Sequence, residues 1–176
     1  MTTVCIVDID TTLANNDHRA ALLLKDLDGK ITQESWDAFL QADLMVLDTP
    51  QKHAKEVVDY MRNHEYLIVF LTGRNEKHYE ATRKWLQSHM GWVPGKEPLL
   101  MRTSDFAGVA ASKFKEAAFL RFVEERRLRN ASFLFFEDDK HVMAMWRKYG
   151  LVFQCPEAWQ WMNPEAPANV ENSWSR

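Results

Sequence analysis

Cysteine is scarce in this chain: 176 residues contain two, Cys5 and Cys155. That rules out a disulfide framework of the kind that staples small secreted domains, and a reducing, cytoplasmic setting is expected. No apolar run approaches the roughly 20 residues that a membrane-spanning helix needs, and the first residues lack the basic-then-apolar pattern of an export signal. Neither membrane insertion nor export is expected. Neither sign of charge dominates, with 22 Lys and Arg against 25 Asp and Glu and a formal net charge of -3. A broad electrostatic coating of nucleic acid is disfavoured by that balance, although a local basic pocket is not. Internal repeats, low-complexity segments and the phosphate-binding pattern G-x-x-x-x-G-K-[ST] are absent as well.

What is present is the composition of one globular domain, 46% hydrophobic and 27% charged, long enough to bury a core and too short for two ordinary domains. The most informative stretch is Val4 to Thr12. Val4, Cys5, Ile6 and Val7 have the length and β-branched content of a buried strand, which ends at Asp8-Ile9-Asp10. Side chains alternate along a strand, so Asp8 and Asp10 share a face while Ile9 turns into the core. Two carboxylates on one face repel unless a cation or a proton lies between them, and hard oxygen ligands suit magnesium.

The pattern then alternates. Ala20 to Leu27 and Thr32 to Leu40 read as short helices of a small insert covering residues 13–49, and Pro50 is placed to open a further helix. Leu67 to Leu71 reads as a strand ending in Thr72-Gly73-Arg74, followed by a helix from Glu76 to Met90 that Gly91 closes. Leu99 to Met101 is a weaker strand. A helix from Lys113 to Arg129 follows, with Arg126, Arg127 and Arg129 read as favourable charges at its C-terminal end. Ser132 to Phe136 is a strand ending in Glu137-Asp138-Asp139, and a helix near Val142 to Lys148 and a strand near Leu151 to Gln154 complete residues 1–155. Residues 156–176 read as a tail, loose from about Asn163, with Trp159, Trp161 and Trp174 available to pack. Strands and helices alternating at this spacing predict an α/β fold, a three-layer Rossmann-like parallel sheet with a small helical insert after its first strand.

In a parallel sheet all strand ends lie along one edge, so Asp8 and Asp10, Thr72 with Arg74, and the acids at 137–139 converge on one cleft. Carboxylates from two strands can hold a metal, a hydroxyl and a lysine can grip phosphate oxygens, and one carboxylate remains as a nucleophile. Read as structure alone, Thr72 and Asp138-Asp139 would cap the helices that follow them, Arg74 and Arg102 would form surface ion pairs, and Trp146 would pack in the core.

Asp8-x-Asp10-x-Thr12, Thr72, Lys113 and Asp138-Asp139 occur in the order of the four motifs of haloacid dehalogenase-like (HAD) phosphatases, which the chain resembles up to about residue 155. Leu71-Thr72-Gly73-Arg74, Thr82 to Leu86, Leu100-Met101-Arg102, and Asp138-Asp139-Lys140 with Met145-Trp146-Arg147 resemble one branch, the 3′-phosphatase domains of bacteriophage polynucleotide kinase/phosphatases and their stand-alone relatives. The resemblance implies that Asp8 attacks phosphorus to form an aspartyl-phosphate and that Asp10 protonates the leaving alcohol and then activates water. It implies Mg2+ held by Asp8, Asp10 through its backbone, and Asp138, with Asp139 close by. Thr72 and Lys113 would grip the phosphoryl group, Lys113 being preferred to Lys115 on its distance from Asp105. Thr12, Gly73, Arg74 and Arg102 would contact substrate. Thr11 departs from the glycine common in the family, which should restrict the backbone there. Lys140 replaces a common arginine, and Phe106 to Ser112 lacks the usual charged residues.

The expected function is therefore a Mg2+-dependent phosphomonoesterase acting on the 3′-phosphate end of a nucleic acid. Alternatives are a phosphatase of nucleoside monophosphates or other small esters, and a phosphate-end binding module that has lost turnover. A receiver-type signalling domain fits poorly, since its paired acids are normally adjacent and its phosphorylated aspartate lies on a later strand.

Overall fold

The computed structural model describes residues 2–162. In chain order these residues form β1 (Thr3–Val7), β2 (Ala14–Asn15), α1 (Asp17–Ala20), α2 (Gln33–Phe39), α3 (Ala42–Met45), β3 (Thr49–Pro50), α4 (Ala54–Asn63), β4 (Leu67–Asn75), α5 (Tyr79–Met90), β5 (Leu99–Arg102), α6 (Ala111–Glu125), β6 (Ser132–Glu137), α7 (Lys140–Trp146), β7 (Leu151–Gln154) and α8 (Glu157–Met162). The main sheet has the order β5-β4-β1-β6-β7, and every neighbouring pair in it is parallel. The fold is a three-layer α/β fold, a five-stranded parallel sheet with helices on both faces.

The runs that read as continuous apolar strands are covered on both faces. On one face Cys5, Val7, Ile68, Phe70 and Phe136 pack with Val57, Val58 and Met61 of α4, Trp85 and Leu86 of α5, and Trp159 of α8. On the other, Val4, Ile6, Val69, Leu71 and Phe135 pack with Phe114, Phe119 and Phe122 of α6 and Trp146 of α7. Trp146 stacks on Phe135 with ring centroids 4.4 Å apart, so it belongs to the core. The alternation of β1 between these clusters places Asp8, the residue after Val7, on the α6 face.

The insert leaves the sheet edge through β2 and returns through β3, and these two-residue strands pair antiparallel, Ala14 opposite Pro50 and Asn15 opposite Thr49. Pro50 thus closes the neck of the insert, and α4 begins at Ala54 instead. Only α2 follows the expected insert helices, with the Thr32 hydroxyl accepting from Ser35 N at its start. The expected helix at 20–27 is not formed. α1 ends at Ala20, and beyond it the Asp26 carboxylate accepts from the backbone of Asp28 and Lys30, building a turn in competition with a helix. Arg126, Arg127 and Arg129 lie past the last residue of α6, with Arg127 at φ 55°.

Residues expected in a C-terminal tail from 156 enter α8, whose Trp159 is fully buried. Trp159, read as available to pack, does so by covering Phe136. The side chain of Trp161 and the segment from residue 163, including Trp174, lie outside the described residues. No helix among the described residues is long and apolar enough to cross a membrane.

Candidate active site

β1 is the central strand, flanked by β4 and β6. Val7 pairs in register with Phe70 and with Phe136, so the next residue of each strand brings Asp8, Leu71 and Glu137 level at the carboxyl edge. Asp8 is 6% exposed and Thr72 fully buried. From α6, Lys115 Nζ donates to Asp8 Oδ1 at 2.8 Å and to Glu137 Oε2 at 2.7 Å. The lysine at the site is therefore Lys115, not Lys113, which is exposed. The helical phase explains the difference. Lys115, Phe119 and Phe122 recur at i, i+4 and i+7 and share the buried face, whereas Lys113 lies off it.

Carboxylate oxygens of Asp8, Glu137 and Asp138 lie within 4.8 Å of one another. Burial, followed by the neighbouring carboxylates of Glu137 and Asp10, pushes the Asp8 carboxyl up to about 7 against the opposing pull of Lys115. Burial and the charge of Asp8 push Asp138 up to about 6, again offset in part by Lys115. Glu137 is also raised, by burial first and by Asp138, with Lys115 opposing. Burial would lower the pKa of Lys115, but its two carboxylate partners outweigh that and keep it charged. Three carboxylates against one ammonium leave excess negative charge in oxygen-only surroundings, the chemistry that a hard divalent cation fits.

Of the residues expected to hold metal, Asp8 and Asp138 bring carboxylates to this cluster; Asp10 was expected there through its backbone, and the side chains of Asp139 and Asp10 are engaged elsewhere. The Asp139 side chain caps α7, accepting from His141 N at 2.7 Å and Val142 N at 3.1 Å. The Asp10 carboxylate is bound by guanidinium groups: Arg74 Nε donates to Oδ2 at 2.9 Å and Nη2 to Oδ1 at 2.8 Å, and Arg19 Nη2 also donates to Oδ1. Both arginines, fully buried, hold a second carboxylate as well. Asp48 receives Arg19 Nε and Nη2, each at 2.7 Å, and Arg74 Nη2 at 2.8 Å. Burial would raise the Asp10 carboxyl, but Arg74 and then Arg19 overcome it and hold the group well below the usual carboxylate range. Arg74 Nη1 is buried with no hydrogen-bond partner among the described residues.

The remaining expected residues divide. Thr12 donates its hydroxyl to Asp138 Oδ1 at 3.3 Å and is fully buried. The Thr72 hydroxyl accepts from Arg74 N at 3.2 Å, which sets the turn that aims Arg74 inward. Arg102 is taken up by backbone: it donates to Gly73 O at 3.2 Å, Phe106 O at 3.0 Å and Val109 O at 2.6 Å. Its guanidinium lies over the Phe114 ring, 4.9 Å from the centroid. Arg102 thus stitches β4 to the loop before α6. Thr11 occupies the left-handed region at φ 63°, the conformation for which glycine is the permissive residue.

Arg19 and Asp48 were not among the sequence candidates. They lie 29 residues apart at opposite ends of the insert, and neither follows a strand of the main sheet. Glu137 was visible as part of the acidic triplet but not as the partner of the lysine.

The sequence profile described as the polynucleotide kinase PNKP phosphatase domain matches residues 20–158. The chain belongs to that family. The matched stretch begins after β1, so the placement of Asp8 and Asp10 in this PNKP-type phosphatase domain comes from the sheet geometry. Among solved structures, similarity extends to the Pnkp1/Rnl/Hen1 RNA repair complex, with a TM-score of 0.63 and 20% identity over 88% of this chain and 42% of that one. A second, of CbbY from Rhodobacter sphaeroides in complex with xylulose-(1,5)bisphosphate, has a TM-score of 0.58 and 13% identity over 88% of this chain and 87% of the other. A third, of a class C acid phosphatase from Bacillus anthracis with tungstate bound, has a TM-score of 0.56 and 16% identity over 96% and 75% of the two chains. These likenesses establish the fold. The chain spans less than half of the Pnkp1-complex chains that it matches. No match was found among proteins of curated function. By the family match the chain is a phosphatase domain of the PNKP type.

Proposed function

We propose that the chain is a Mg2+-dependent phosphomonoesterase that acts through an aspartyl-phosphate on 3′-phosphate ends of nucleic acid. The observation that carries this reading is the buried Asp8 at the end of the central strand, bonded to Lys115 and adjoining Glu137 and Asp138. In the first half-reaction an Asp8 oxygen attacks phosphorus as the ester P–O bond breaks, and the leaving alcohol takes a proton from Asp10. In the second, Asp10 takes a proton from the water that attacks phosphorus, and the acyl-phosphate bond breaks to release inorganic phosphate and restore Asp8. The arginines favour ionised Asp10, which suits the second half. An entering phosphate dianion raises the carboxyl's proton affinity for the first. Lys115 stays charged and neutralises Asp8 and the phosphoryl oxygens in turn. Asp8, Glu137 and Asp138 would hold Mg2+, which when bound supplies further neutralisation of phosphoryl charge.

Family membership favours a polynucleotide end. Exposed Lys113 and Lys140, at the starts of α6 and α7 beside the site, offer cations to neighbouring phosphates of a strand. The insert does not, since residues 13–49 contain seven acids against Arg19, Lys25 and Lys30. Hydrolysis of nucleoside monophosphates or other small esters is the second reading, favoured by that acidic insert. Phosphate release with Mg2+ from a 3′-phosphorylated oligonucleotide, its 5′-phosphorylated isomer, and the 3′- and 5′-mononucleotides decides between them. Preference for the 3′-phosphorylated oligonucleotide is the expected result. Preference for mononucleotides overturns the end-specific reading, and no turnover on any of the four overturns the enzymatic one.

A further inference from the structure

Three successive carbonyls of the loop after β1 are each taken by a donor from outside the loop. Thr11 O accepts from Gln51 Nε2 at 3.0 Å, Thr12 O from Trp159 Nε1 at 2.8 Å, and Leu13 O from Gln51 N at 2.7 Å. Because the peptide is planar and trans, fixing a carbonyl fixes the direction of the following N–H. Holding Thr11 O therefore turns the Thr12 N–H away from Gln51. Holding Thr12 O and Leu13 O aims the next two amides back into the loop, where Leu13 N and Ala14 N both donate to Ile9 O, at 2.9 and 2.8 Å.

Such anchoring matches the strain that the loop carries. Thr11 is β-branched and sits at φ 63°, a conformation that persists only where the surroundings over-determine it. The two donors are themselves fixed. Trp159 is fully buried and stacks on Phe136 with centroids 5.0 Å apart and planes 15° from parallel. Phe136 pairs in register with Val7, the residue before Asp8. Gln51 directly follows the insert neck, where Pro50 pairs with Ala14. Thr12 is consequently held from α8 through its carbonyl and tied to the acid cluster through its hydroxyl, which donates to Asp138.

We propose that Trp159 and Gln51 are positioning residues of the phosphatase site, a two-sided clamp that sets the loop carrying Asp10 and Thr12 in its working conformation. This rests on the reading of Asp8 and Asp10 as the reacting pair.

The test uses the full chain with Mg2+ and para-nitrophenyl phosphate as the probe. Trp159→Phe keeps an aromatic face on Phe136 while removing the N–H donor and leaving a small core void, and Gln51→Met removes the half-buried amide. For each, kcat should fall about tenfold, the scale of one lost hydrogen bond expressed in the barrier, while KM changes less than about twofold. Met61→Ala, a core truncation in α4 away from the loop, serves as a variant of lowered stability and should retain kcat. If either clamp variant folds and keeps kcat within twofold of wild type, the clamp is overturned. It is also overturned if Met61→Ala loses as much kcat as they do. Asp8→Asn separates the two levels: turnover in that variant sinks the site reading and the clamp together, whereas an inactive Asp8→Asn beside normal clamp variants sinks the clamp alone.

Discussion

Lys113 and Lys115 are two residues apart in sequence and occupy different environments, and their contrast can be measured. Under the proposed mechanism, Lys115→Met should lower turnover at least about a hundredfold, because it removes the ammonium bonded to Asp8. The same change should lower stability by about 3 kcal/mol, since two carboxylates lose their buried partner. Lys113→Met should leave turnover of a small ester within about twofold and stability within about 0.5 kcal/mol. Steady-state kinetics and urea midpoints check both. Equal losses from the two variants would show that Lys115 is not the site cation. Thr11→Gly tests the strained turn: removing the Cβ at φ 63° should stabilise the chain by about 0.5–1 kcal/mol, net of glycine's greater unfolded-state freedom. An unchanged or lowered urea midpoint would mean that the turn carries no relievable strain.

At the scale of elements, the insert is joined to the site by charge. Arg19 near its start and Asp48 near its end meet Arg74 and Asp10 in a group of two guanidiniums and two carboxylates. Asp48→Asn leaves two buried cations facing one carboxylate and should cost about 3–4 kcal/mol. Lys55→Ala, which breaks the exposed pair with Asp59, should cost no more than about 0.5 kcal/mol. Chemical denaturation of the two variants measures the difference, and comparable losses would refute the buried-network account. The elements differed in how far the sequence displayed them. Strands β1, β4 and β6 were legible because a strand covered on both faces must be apolar throughout, and their polar ends announced the site. The insert was not, because its helices are of four to seven residues and local turns at Asp26 compete with helical propensity. Lys115 was legible in the helical phase of Phe119 and Phe122, which outranks a sequence distance. Arg19 and Asp48 gave no local signal, since their pairing exists only once the neck has closed. Trp159 was legible as an aromatic available to pack, but its partners, Phe136 and the Thr12 carbonyl, lie far off in sequence and left no local sign.

For the whole molecule, the opposite shifts of the acids set the pH dependence of stability. Asp10 is held below its unfolded value, so its contribution is complete above the ordinary carboxylate range and is lost as the pH falls through the folded value. Asp8 and Asp138 are raised to about 7 and about 6. Their neutral forms favour folding, so that contribution is complete below about pH 4 and is lost as the pH rises to about 7. Without divalent cation the chain should be most stable near pH 5 and weaken toward pH 8. Mg2+ should restore more stability at pH 8, where the acids are ionised, than at pH 5. Urea midpoints in EDTA and in Mg2+ at the two pH values check the sign, and a Mg2+ effect larger at pH 5 would contradict it.

The two-residue pairing of β2 with β3 has a consequence for exchange between relatives. Because the neck brings residues 15 and 49 side by side, a foreign cap of another length can be grafted there without stretching the core. Such a graft is not autonomous. It must bring a guanidinium on its first turn and a carboxylate just before its exit, or the aspartate at position 10 keeps a single arginine and takes a different proton affinity. Chimaeras made at this neck should therefore carry over, with the cap, the proton affinity of the aspartate it faces.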